Sequence, residues 1–244
     1  MRQKVKNLAI LQARMSSTRL PGKVLKPVLG TPMIIRQIER LNASNELDYI
    51  VVATSHEASD DALAEALCSA GIDCFRGNLN DVLSRFADCV NEYPAENIIR
   101  LTADCPLADP EVIDAVIRQH HSSGSDYTSN TLKRTYPRGL DVECFTSEAF
   151  SRLQQFELSS QEREHVTMGF YQRPDIFVLE NVSDVIDRSG LRWTVDYPED
   201  LAFVREIYSK IYSDMGLFTS EDIREVISQN PDLNRLESDV EGHN

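Results

Sequence analysis

Asn7-Leu8-Ala9-Ile10-Leu11-Gln12-Ala13-Arg14-Met15-Ser16-Ser17-Thr18-Arg19-Leu20-Pro21-Gly22-Lys23 holds four consecutive apolar residues, Leu8 to Leu11, and ends as a loop carrying three cations. An apolar run that short, closed by polar residues, suits a buried strand. Outward from it the pattern repeats. Pro32 to Leu41 reads as a helix, Tyr49 to Ala53 as a second strand, and Ser59 to Ala70 as a helix closed by Gly71. Asp73 to Phe75 is a short third strand, and Asn80 to Tyr93 a helix with Val82, Leu83, Phe86 and Val90 on one stripe. Asn97 to Thr102 is a fourth strand, after which Pro110 opens a helix capped by Asp109. This alternation predicts an α/β fold, a mostly parallel sheet with helices on both faces.

The second half is looser. Ser122 to Ser125 reads as a turn, Leu140 to Phe145 as a strand, Glu162 to Tyr171 as a helix and Ile176 to Leu179 as a strand. Trp193 to Val195 is expected as a short strand, followed by a helix from Pro198 to about Tyr212 and a last helix capped by Ser220. The expected organisation is a single domain over residues 1–230, with 129–183 as a small inserted α+β subdomain and 231–244 as a frayed polar tail.

Charge narrows the function classes. Over 244 residues, Lys and Arg number 25 against 39 Asp and Glu, a formal charge of −14. Such a surface repels polyanions, so a nucleic-acid partner is not expected. A phosphate ligand has to be held by a few locally placed cations. The five cysteines, Cys68, Cys74, Cys89, Cys105 and Cys144, are odd in number and form no C-x-x-C pair, which favours a reducing cytoplasm. Leu8 to Leu11 is too short for a secretory signal, and no stretch approaches a membrane span.

In open parallel sheets, ligands bind beyond the carboxyl ends of the strands. The loop from Gln12 to Lys23 stands there, with Arg14, Arg19, Lys23, three hydroxyl side chains and Gly22. Backbone N–H groups, arginine forks and a lysine point charge together suit a polyphosphate. It is not a Walker A loop, because Ser17 stands five before Gly22 and Val24 follows Lys23. Asp104 of Ala103-Asp104-Cys105-Pro106 ends the fourth strand, well placed to ligate a divalent cation. Asp196 of Val195-Asp196-Tyr197-Pro198 repeats the design; alone it reads as the cap of the helix that Pro198 begins, but two strand-end aspartates beside a polyphosphate loop favour a metal site.

Ala13-Arg14-x-x-Ser17-Thr18-Arg19-Leu20-Pro21-Gly22-Lys23 resembles the signature of the cytidylyltransferases that activate keto-deoxy-octulosonate and acylneuraminate sugars, above all the subgroup named for spore-coat polysaccharide synthesis. Asp196-x-Pro198-Glu199-Asp200-Leu201 is similar to that family's second signature, and Leu101-x-x-Asp104-x-Pro106 to its metal-binding strand end. The resemblance implies a nucleotide-diphospho-sugar transferase-like fold. It implies that Arg14, Arg19 and Lys23 bind the triphosphate of CTP, with Ala13, Ser17, Thr18 and Gly22 completing the loop, while Asp104 and Asp196 hold Mg²⁺. It further suggests a homodimer formed through the middle segment. The octulosonate enzymes carry Asp-Glu-Pro where this chain has Asp104-Cys105-Pro106, so the identity of the sugar does not carry over.

Three further segments complete the expected site. The resemblance implies that Ser55 or His56, after the second strand, contacts cytosine, and the stretch with Arg76 and Arg85 resembles one that lines the nucleotide pocket. Asp141 and Glu143 share one face of a strand as a hydroxyl-binding edge for a sugar, with His165 on the acceptor side. The resulting expectation is transfer of CMP to an acidic sugar with release of pyrophosphate. A sugar-1-phosphate nucleotidylyltransferase, a glycosyltransferase of the same fold and a non-catalytic nucleotide-binding regulator are the alternatives.

Overall fold

The computed structural model describes residues 2–212 and 217–237. β1 (Val5–Gln12) is followed by β2 (Pro27–Val28), β3 (Thr31–Pro32), α1 (Met33–Leu41), β4 (Tyr49–Ser55), α2 (Asp61–Ser69), β5 (Cys74–Gly77), α3 (Val82–Glu92) and β6 (Ala95–Thr102). The chain continues through α4 (Pro110–Ser123), β7 (Tyr127–Ser129), β8 (Glu143–Thr146), α5 (Ser147–Leu153), α6 (Ser160–His165), α7 (Met168–Tyr171), β9 (Leu179–Asn181), α8 (Pro198–Ile211) and α9 (Ser220–Gln229). One seven-stranded sheet runs in the order β5-β4-β1-β6-β8-β7-β9. Only β8 runs against the others, pairing antiparallel with β6 and β7.

Alternation along the strands builds two cores, one on each face. Ala9 and Leu11 of β1, Val52 of β4 and Ile99 and Leu101 of β6 pack with α1, α2, α4, α8 and α9. Leu8, Ile10, Val51, Ala53 and Ile98 point the other way, against α3, α5 and Phe170 of α7. Because both faces are covered, the central strands carry consecutive apolar residues, interrupted in β6 by Arg100. Asp109 caps α4 as expected, its carboxylate accepting from the Glu111 N–H at 2.9 Å.

The second half departs from the sequence pattern in specific places. The segment 129–183 adds strands to the edge of the main sheet. Its expected strand from Leu140 starts only at Glu143, because the Asn130 side chain serves the backbone of Leu140 and Val142, at 2.7 and 2.9 Å. The helix expected over Glu162–Tyr171 is broken at Val166, whose φ is 51°. The strand expected at Ile176 is displaced to β9, and Thr219, not Ser220, caps α9. Trp193–Val195 is not a strand, since its N–H groups are taken by two different segments: Trp193 donates to Arg138 O at 2.7 Å and Val195 to Asp104 O at 2.8 Å. β7, α5 and the β2–β3 hairpin carry too few residues to announce themselves as periodic patterns. The tail is docked as far as Glu237, with Arg235 on Asp200 at 3.0 Å; residues 238–244 lie outside the described residues.

Gly139 makes the approach of Trp193 possible. Its φ is 105°, and a Cβ there would lie 2.8 Å from the Trp193 carbonyl carbon. Replacing it strains the backbone and collides with a neighbouring main chain that cannot move alone. We predict that Gly139→Ala lowers the unfolding free energy by about 2–4 kcal/mol in urea denaturation. An unchanged midpoint would contradict this account of the contact.

Candidate active site

The parallel register sets Gln12 of β1 beside Thr102 of β6, so the two chains leave the sheet side by side. Ala103 N–H then donates to Gln12 O at 2.9 Å, and Ala13 N–H to Ala53 O at 3.1 Å. The loop that leaves β1 therefore faces the loop that leaves β6. The Val195–Asp104 backbone bond brings the third segment to the same place.

These segments enclose a cleft of about 240 Å³ lined by Gln12, Ala13, Arg14, Ser17, Thr18, Arg19, Lys23, Val24, Arg85, Thr102, Ala103, Asp104 and Asp196. The Lys23 ammonium donates to Val195 O at 2.7 Å, to Asp196 Oδ1 at 3.0 Å and, at the long limit of a bond, to Asp104 Oδ2 at 3.5 Å. Arg19 lies 3.0 Å from the same Asp196 oxygen, and Arg192 donates to its other oxygen at 2.9 Å. Burial pushes the Asp196 carboxyl up, but Lys23, Arg192 and Arg19 outweigh it and hold the group below the usual carboxylate range. Asp104 is oriented by the Thr102 hydroxyl, which donates to Oδ1 at 2.6 Å.

Asp196 is not the cap of α8. Asp200 fills that role, accepting the Asp196 and Tyr197 N–H groups at 2.9 Å each while pairing with Arg192. The Asp196 carboxylate is thereby left to face the cations of the cleft.

The remaining expectations divide. Ala13, Arg14, Ser17, Thr18 and Arg85 line the cleft together with Arg19 and Lys23. Burial lowers the Arg85 guanidinium to about 10. Gly77 makes room for Arg85, since a Cβ there would meet Arg85 Cγ at 2.6 Å. Three other residues expected at the nucleotide, Gly22, Ser55 and Arg76, are hydrogen-bonded within the protein. Gly22, at φ 67°, donates its N–H to Met15 O at 3.0 Å. Ser55 is fully buried, its hydroxyl turned to Asp60. Arg76 donates to Ser55 O at 2.8 Å and to Glu57 O at 3.0 Å, and pairs with Asp61.

A second cavity of about 560 Å³ meets the first at Thr102 and contains all three expected sugar residues, Asp141, Glu143 and His165. Glu143 is already engaged by the Tyr127 and Thr167 hydroxyls, both at 2.6 Å, and by Arg100. Asp141 pairs with both nitrogens of the Arg134 fork, at 2.5 and 2.7 Å. His165 is exposed at the end of α6, just before the left-handed Val166.

Arg100, Arg192 and Asp60 were not singled out from sequence. Arg100, a charge inside the apolar run Ile98-Ile99-Arg100-Leu101, carried a usable signal, because a buried arginine needs a partner. Asp60 carried none. It is fully buried and accepts the Met15 N–H at 2.7 Å and the Ser55 N–H at 3.2 Å, tying the β1 loop to the end of β4. Burial pushes its carboxyl up, but the Ser55 and Met15 bonds prevail and leave it below its ordinary value. A carboxyl lowered by folding adds stability above its unfolded value and loses it as pH falls through the folded one. We predict that Asp60→Asn costs about 1–3 kcal/mol at neutral pH, through donors left unpaired. The same variant should lose less further stability than the parent below about pH 4. Parallel acid-unfolding curves for the two proteins would contradict this.

A model of the cytidylyltransferase family matches residues 8–223. The spore coat polysaccharide biosynthesis protein SpsF of Bacillus subtilis is 33% identical over 234 residues, covering 92% of this chain and 95% of that one. A solved cytidylyltransferase from Leptospira borgpetersenii superposes with a TM-score of 0.88 at 32% identity, covering 94% of this chain and 96% of that one. CMP:2-keto-3-deoxy-manno-octonic acid synthetase complexed with CTP superposes at 0.63 and 18% identity over 84% of this chain and 99% of that one, a likeness of fold. The family match runs from β1 into α9 and so takes in every segment that meets at the cleft: this chain belongs to the cytidylyltransferases, a family of nucleotidyltransferases.

Proposed function

We propose that this protein transfers CMP from CTP to an acidic ulosonic or nonulosonic sugar, releasing pyrophosphate, in the synthesis of a surface polysaccharide. The observation that carries the reading is the Lys23 ammonium, which joins Asp104 and Asp196 in a cleft otherwise rich in arginine and hydroxyl groups. The family supports cytidylyl transfer, and the similarity to SpsF supports the polysaccharide pathway.

In this reading the triphosphate lies along Arg14, Ser17, Thr18, Arg19 and Lys23, with Arg85 beneath it. The acceptor occupies the second cavity, where Arg100, Arg134 and Arg138, paired in this structure with Glu143, Asp141 and Glu237, supply the positive charge that a carboxylate needs, and His165 lies at the rim for a hydroxyl. Its hydroxyl oxygen attacks the α-phosphorus and gives its proton up to solvent; that P–O bond forms as the bond to the β-phosphate breaks, and pyrophosphate leaves in line. Arg14, Arg19 and Lys23 neutralise the charge growing on the leaving group, an electrostatic contribution that is often the largest. No protein nucleophile is required.

Asp104 and Asp196 fit Mg²⁺, which takes oxygen ligands and completes its shell with phosphate and water. Two carboxylates would hold such an ion only together with phosphate or water ligands. When bound, the ion supplies positive charge to the phosphate oxygens. The proposal includes a cytoplasmic enzyme, in keeping with the odd cysteine count, and a homodimer through 129–183, where Ile176 and Val178 are exposed. Among the described residues no helix is long and apolar enough to cross a membrane.

A pyrophosphate-release screen with Mg²⁺ tests the reading. CTP with an octulosonate or nonulosonate should release pyrophosphate, whereas UTP or GTP with a sugar 1-phosphate should not. Release from the second pairing alone, or CTP binding without turnover, would overturn it. Asp104→Asn should lower kcat by about 100-fold or more while CTP still binds, since such charge acts mainly in the transition state. Near-normal turnover would remove Asp104 from the mechanism.

A further inference from the structure

Lys23 presents an inconsistency between what it touches and what its loop is for. An ammonium has three N–H donors. In this structure all three face acceptors of the chain itself: Val195 O, Asp196 Oδ1 and Asp104 Oδ2. Its side chain is only 11% exposed, against 50% for Arg19. A phosphate can gain Lys23 only if Lys23 releases at least one of these partners. An ion held by both aspartates, in turn, has to stand between them, where the ammonium already is.

We propose that Lys23 is the internal counterion of the metal position: it bridges Asp104 and Asp196 and keeps a divalent cation out until the phosphates of a nucleotide draw the ammonium away. The inference rests on the reading that these two aspartates hold Mg²⁺. Its physical basis is charge. Asp196 is matched by Lys23, Arg19 and Arg192, so a doubly positive ion entering beside them meets repulsion with little attraction left uncompensated. A triphosphate reverses that balance, because its negative charge attracts both the ammonium and the ion. Lys23 has the means to move, standing on a flexible four-carbon stem at the start of a three-residue helical turn, Lys23–Leu25. Nucleotide and metal would consequently bind with positive coupling, each tightening the other.

The test is Mn²⁺ binding measured by electron paramagnetic resonance on the nucleotide-free full chain, with no turnover involved. Lys23→Met should bind Mn²⁺ at least about tenfold more tightly than the parent, because a positive charge next to the ion has gone. Lys23→Arg, which keeps the charge, should stay within about twofold of the parent, and Lys23→Met with Asp104→Asn should lose the gain. Lys23→Gln provides a second neutral variant in case the Met variant does not fold, as judged by thermal unfolding. Unchanged or weaker Mn²⁺ binding in both neutral variants would overturn the proposal, as would a gain that survives Asp104→Asn. Pyrophosphate release by the parent enzyme decides the underlying reading separately, since no nucleotide enters the Mn²⁺ measurement.

Discussion

The parallel pairing of β1 with β6 is the constraint on which the cleft depends. Each strand is buried on both faces, so neither can slip by one residue without turning its apolar set toward the wrong core. The register is thereby pinned with Gln12 opposite Thr102. From that point two loops must leave the sheet in the same direction, one carrying cations and the other a carboxylate. The third segment needs its own connection, and receives one from Val195 N–H on Asp104 O and from the approach of Gly139 to Trp193.

Electrostatics then decides what the cleft can hold. A chain with net charge −14 gathers Arg14, Arg19, Lys23 and Arg85 within one depression, against two aspartates. Local arrangement outweighs the average here because charges a few ångströms apart interact more strongly than distant surface charges screened by salt. The division of labour among aspartates matters equally. Asp200 serves the start of α8, Asp60 ties the β1 loop to β4, and the two that remain face the cations.

Apart from the short β2–β3 hairpin, the first half of the fold was legible because β1, β4 and β6 carry consecutive apolar residues and its helices carry stripes and caps, such as Asp109 and Pro110. The helices that begin at Pro198 and Ser220 were legible too, but residues 129–195 were less so, because side chains satisfy part of their backbone. Asn130 does for Leu140–Val142 what a strand partner would do, and the left-handed Val166 breaks a helix whose composition gives no warning. At the site, strand-end aspartates and clustered cations could be read from spacing alone. Ser55, Gly22 and Arg76 illustrate the limit of that method. Gly22 stands in the β1 loop, Ser55 ends β4 and Arg76 lies in β5, and each makes hydrogen bonds within the protein that spacing alone does not announce. Asp60 shows the reverse, a residue with no motif whose importance lies in contacts made across 45 positions.

The most direct measurement is a crystal structure with CTP and Mn²⁺, using anomalous scattering to locate the ion. The account predicts an anomalous peak between Asp104 and Asp196, phosphates laid along the loop from Ala13 to Lys23, and the Lys23 ammonium turned from Asp196 toward phosphate oxygen. A triphosphate bound elsewhere, or an ion that touches neither aspartate, would contradict it.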